Sequence, residues 1–178
     1  MNFVEYRKRV EILASERTGE TIANGSFDHA AIIIQQMFKS AEHQVSILTG
    51  NLNARVYGRA EVVEEAKLFL AQGDHSARFL LESEDSLLFR DHPLFERLRH
   101  NENLEARIVP EEMRNQYKYH FLVMDDDSYR FEPTKDGPTA VAAFGDKDTV
   151  RNLAEIFAII WDVSKKVELP SRNEPAPA

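Results

Sequence analysis

"KYHFLVMDDDSYRFE", residues 118–132, opens on a histidine at the head of an apolar run, passes through three consecutive aspartates, and ends in a second run of alternating character. Extended apolar runs on either side of acidic turn residues predict a β-hairpin, with "YHFLVMD" and "SYRFEP" as strands joined through Asp125, Asp126 and Asp127. Downstream, "TAVAAFGD" supplies another strand, and a closing helix over about 147–166 carries two apolar stripes. Val150, Leu153, Ala154, Phe157, Ile160 and Trp161 form one; Ile156, Ile159 and Val163 form the other. A surface helix needs one stripe, so the second is buried either beneath the N-terminal helix or against another subunit.

Upstream of the hairpin the chain alternates helix and strand. Asp28 is placed to cap a helix "HAAIIIQQMFKSAE", and "QVSILTG" follows with the short β-branched run of a buried strand ending at Gly50-Asn51. "RAEVVEEAKLFLAQGD" sets Val62, Val63, Ala66, Phe69 and Leu70 on one helical face, and "ARFLLE" is the next strand. "DSLLFRDHPLFERLRHN" predicts a third helix broken or restarted at Pro93, before the strand "EARIVP". The sum is an α/β fold, a mixed sheet with helices on its faces and one hairpin near the end.

The opening "NFVEYRKRVEIL" spaces Phe3, Tyr6, Val10 and Leu13 by three and four, as a short amphipathic helix does, ahead of the turn-rich "SERTGETIANGSFD". That segment docks on the domain or on a partner. The tail "LPSRNEPAPA" has three prolines and no apolar period and reads as disordered. The expected organisation is an N-terminal helix and loop over 1–27, one α/β domain over 28–168, and a disordered tail over 169–178.

The order of elements, together with His120 and Asp127 at the separation of an H-x-K-x-x-x-x-D signature, resembles one half of the phospholipase D-like superfamily. The resemblance implies a histidine that attacks phosphorus, a lysine that holds the phosphate oxygens and an aspartate that orients a histidine. Leu122 stands at the lysine position and supplies neither charge nor donor to a developing oxyanion. The Gly-Ser or Gly-Gly pair that the family places shortly after the aspartate is missing too: the chain reads "DSYRFEPTKDG", where Arg130 and Glu132 offer a different polar site. Two readings follow. One is a catalytically degenerate module that binds a partner or ligand in a regulatory or scaffold role. The other is a metal-independent phosphodiesterase or nuclease with His120 as nucleophile and Arg130 or Arg55 in place of the lysine. Because the family builds one site from two halves and this chain holds one, activity implies a homodimer with two His120 side chains facing across its axis.

Each candidate has a plainer reading beside it. His120 at a strand start is also what a satisfied structural histidine looks like, and the aspartates suit a solvated turn. Asn51, Asn53, Arg55 and Tyr57 in "TGNLNARVYGR" follow the first sheet strand, where open α/β sheets form their ligand crevice, or else face water. That stretch lacks the glycines and lysine of a P-loop, and no G-x-S-x-G elbow occurs. The absence of cysteine excludes disulfides, thiolate metal sites and a cysteine nucleophile, and the histidines form no close ligand pair, so no metal and no cofactor is assigned.

With 43% hydrophobic residues in 178, the chain suits one domain with a real core. No apolar run reaches the length of a membrane span and the start is not a signal peptide, which predicts a cytoplasmic protein away from membranes. A net charge of -8 without a basic stripe disfavours extended nucleic-acid binding. The partners left are a protein, a small phosphate-containing ligand, or a second copy docked through the C-terminal helix.

Overall fold

The computed structural model describes residues 1–135 and 137–169, without the side chain of Ser86. In chain order its elements are α1 (Phe3–Glu16), β1 (Thr21–Asn24), α2 (Phe27–Ser40), β2 (Gln44–Thr49), α3 (Ala54–Tyr57), α4 (Ala60–Leu70), β3 (Ser76–Leu81), α5 (Ser86–Asp91), α6 (Pro93–Leu98), β4 (Leu104–Ile108), α7 (Glu111–Gln116), β5 (His120–Met124), β6 (Ser128–Glu132), β7 (Ala140–Phe144), α8 (Lys147–Val163) and β8 (Lys165–Lys166). They build an 8-stranded sheet in the order β1-β7-β6-β5-β2-β3-β4-β8. β2, β3 and β4 run parallel, joined through helices as parallel strands require, and the remaining neighbours pair antiparallel.

Alternation along β5 shows how the sheet divides two cores. Leu122 and Met124 join the larger core beneath α1, α2, α4 and α6, while Phe121 and Val123 face the smaller one beneath α8. His120 shares the parity of Leu122, and so do the cross-strand partners Glu132 and Arg130. The site therefore faces the larger core.

Four expectations change. The cap of α2 is Ser26, whose hydroxyl accepts the His29 N–H, and Asp28 lies in the first turn. The stretch around Thr21 is a strand paired with β7 instead of a loop, so the N-terminal segment belongs to the sheet. Its helix packs on α2, on the face opposite α8, and Ile159 and Val163 of α8 stay exposed; burial under the N-terminal helix is excluded for them. Leu169 packs against the larger core, and the rest of the expected disordered tail, 170–178, lies outside the described residues. No described helix is long and apolar enough to cross a membrane.

The aspartate turn anchors neighbouring segments instead of merely facing water. Asp125, with φ 54, accepts the backbone N–H groups of Glu42, His43 and Gln44 and fixes the entry to β2. Both carboxylate oxygens of Asp127 accept from Arg17 at 3.1 Å, and one of them also accepts from the Ser128 hydroxyl. Gly145 lets this corner close: at φ +93, a Cβ there would stand 2.0 Å from the Arg17 carbonyl oxygen. Asp126 alone remains outside, paired with Lys147.

Candidate phospholipase D-like site

β5 runs antiparallel to β2, so its first residue meets the carboxyl end of β2, where the crevice of an open α/β sheet lies. His120, only 2% exposed, is placed there beside Thr49. Thr49, Asn51, Asn53, Tyr57, Arg130 and Glu132 line with it a cavity of about 20 Å³, room for a single water.

Each ring nitrogen of His120 faces a carboxylate. Nε2 lies 3.4 Å from Glu82 Oε2, off the line of a hydrogen bond, and is without an aligned acceptor among the described residues. Nδ1 lies 3.8 Å from Glu132 Oε2. Cations hold both carboxylates from the far side. Arg130 donates from Nη1 to Glu132, and Lys135 donates from Nζ to Glu82 and, at 3.1 Å, to the Arg114 carbonyl. Arg114 in turn donates to the Glu82 carbonyl at 2.9 Å. Asn24 of β1, 1% exposed, completes the shell: its Oδ1 accepts from Arg130 Nε at 3.1 Å and its amide donates to the Pro138 carbonyl.

These contacts set the charge states. Burial by itself would push the His120 imidazole down, but Glu132 and Glu82 outweigh it and its pKa is raised. Burial would raise both glutamates; instead His120 and Lys135 hold Glu82 low, and His120 and Arg130 hold Glu132 low. Burial also raises the Tyr57 phenol, keeping it neutral. The cluster thus favours the protonated form of His120, set between two carboxylates that are each paired with a cation.

The candidates named from sequence separate. His120, Arg130, Glu132, Asn51, Asn53 and Tyr57 come together at the cavity. Arg55 does not line it, its guanidinium lying over the Phe27 ring at 4.2 Å from the centroid. Asp127 lies beyond the opposite end of β5 from His120, neutralised by Arg17, so the two motif residues do not meet. Arg130 pairs in register with Leu122, which puts a cation one strand away from the lysine position. Glu82, Lys135, Arg114 and Asn24 were missed. For Glu82 a signal existed, since it directly follows the strand in "ARFLLE" and so lies at a carboxyl end; Lys135 and Asn24 arrive through tertiary contacts that no local pattern encodes. Among the described residues no group of three or more acidic or histidine side chains is arranged to hold a metal ion.

Comparison with known proteins agrees with the topology. TrmBL2, an archaeal chromatin protein with a novel mode of DNA binding, superimposes with a TM-score of 0.63 at 15% identity over 92% of this chain and 62% of that one. This chain therefore spans less than two thirds of the TrmBL2 chain. Nuc from Salmonella typhimurium, a phospholipase D family member, gives a TM-score of 0.58 at 9% identity over 83% of this chain and 97% of its own. NucT from Helicobacter pylori gives 0.59 at 9% identity, over 83% and 99%. No curated protein matches the sequence. At such identities the likeness establishes the fold alone, which is phospholipase D-like. A family model, the domain of unknown function DUF7931, matches residues 26–169, and the chain belongs to that family.

Proposed function

We propose that this chain is a catalytically silent phospholipase D-like module that acts by binding and not by phosphodiester cleavage. The observation that carries the reading is His120 held between Glu82 and Glu132. Glu82 and Glu132 favour the protonated form of His120, and a protonated ring has no lone pair with which to attack phosphorus. Leu122 adds to this, since losing one preorganised donor to the oxyanion costs about 100-fold to 1000-fold in rate. A cavity of about 20 Å³ also leaves no space for a diester. TrmBL2 binds DNA on a related fold, but a net charge of -8 here works against extended phosphate contacts. The exposed Ile159 and Val163 support a second copy or another protein on α8.

One observation favours the phosphodiesterase reading: Arg130 stands across from Leu122 on the same face as His120. Both readings meet in one assay. The purified chain and His120→Ala are incubated without metal with an activated phosphodiester, single-stranded DNA and double-stranded DNA. Equal, background-level turnover is expected; hydrolysis that disappears in the variant would overturn the silent module.

A further inference from the structure

Behind the cavity's rim stands a buried histidine that does not line it. His92, 6% exposed, caps α6: its Nδ1 accepts the Leu94 N–H at 3.1 Å, and its Nε2 stands 2.7 Å from the Leu52 carbonyl oxygen. A carbonyl only accepts and an N–H only donates, so both contacts require the neutral ring with its proton on Nε2. Leu52 is fully buried with φ 55, an unfavourable conformation for a γ-branched residue that surrounding contacts must hold. On either side of it stand Asn51 and Asn53, which line the cavity, and the Asn53 carbonyl accepts the Val56 and Tyr57 N–H groups that begin α3.

We propose that His92 is the positioning residue of the cavity loop: neutral, it ties Leu52 to the start of α6 and thereby places Asn51 and Asn53; protonated, it releases them. Protonation puts a hydrogen on Nδ1 against the Leu94 N–H, donor against donor, and the helix start and the loop cannot both keep their contacts. On its own helices the charged neighbours are Arg90 and Asp91, which pair with each other, with Glu96 and Arg97 on α6 and Arg99 at its end. Across from it, Arg55 of α3 lies over Phe27; on α4, Lys67 pairs with Glu64, Glu61 is near Arg59, and Glu65 is the remaining charge. Both ring nitrogens are already occupied by backbone groups, so none of these charges hydrogen-bonds the ring. Burial lowers the His92 pKa, the Leu52 contact opposing in part, so release comes on acidification below the ordinary imidazole value of about 6.5.

The test uses the full chain labelled with nitrogen-15. Ring spectra are expected to show His92 protonated on Nε2 only, and the Asn51 and Asn53 amides are expected to shift with the His92 midpoint. A separate transition at higher pH in those amides belongs to His120. His92→Ala risks unfolding, so the decisive variant is His92→Asn, whose carboxamide oxygen can still cap α6 but whose shorter side chain cannot reach Leu52. It is expected to fold, to lose the acid transition of Asn51 and Asn53, and to exchange the Val56 and Tyr57 amides about tenfold faster. A proton on Nδ1 in the neutral ring, or an acid transition at Asn51 and Asn53 that survives in His92→Asn, would overturn the proposal.

Discussion

His120 and His92 are sealed almost equally, at 2% and 6% exposure, yet their pKa values are driven in opposite directions. Both ring nitrogens of His92 meet backbone groups, so desolvation prevails and its pKa is lowered. His120 meets two carboxylates, and their attraction outweighs a desolvation of the same kind. Burial alone therefore does not assign a histidine's charge; the groups at its two nitrogens do. The same difference separates their roles. One is the centre of a charged cluster at the end of the sheet, the other a strut between the start of α6 and the loop that lines the cavity.

The strongest way to break this contrast is Arg130→Leu. Glu132 would keep only His120 as a counter-charge in a buried setting, and a loss of about 3–5 kcal/mol in urea unfolding is expected. A loss below about 1 kcal/mol would mean that the guanidinium is not what holds the cluster. Next comes the pair Glu82→Gln with Glu132→Gln, after which desolvation should govern both histidines and the His120 ring should titrate below about 6.5 by NMR.

The pH profile sharpens the same point through its sign. The raised His120 pKa contributes stability that is complete below about 6.5 and disappears as pH rises through the folded value. The lowered Glu82 and Glu132 contribute stability that is complete above about 4.3 and disappears as pH falls through their folded values. The stability gap between wild type and Glu82→Gln should thus be widest between about pH 4.3 and 6.5 and shrink on the alkaline side. His92 contributes in the opposite sense, complete above about 6.5 and lost as pH falls through its depressed folded value. The smallest effect belongs to Asp126→Asn, whose exposed pair with Lys147 should be worth less than about 0.5 kcal/mol; a larger loss would show that the turn depends on that charge.

Patterns of short range carried much of the architecture. The two apolar runs around Asp125–Asp127 made the hairpin, the β-branched run "QVSILTG" made a central strand, and Pro93 separated α5 from α6, because strand alternation, turn chemistry and proline geometry act within a few residues. β1 escaped notice because four residues with no distinctive alternation become a strand only once β7 is beside them. The site divides along the same line. His120, Arg130 and Glu132 were legible because cross-strand register follows from the turn, and Asn51, Asn53 and Tyr57 because they follow a strand's carboxyl end.

Residue identities in one hairpin were enough to single out His120 and to place Leu122 two residues on, at the same sheet face. That this histidine lies between two carboxylates, each paired with a cation, depended on Glu82, Lys135 and Asn24, brought from a parallel strand's end, a loop and an edge strand. Electrostatic energy depends on distance in space, and folding sets those distances among residues that the chain keeps far apart.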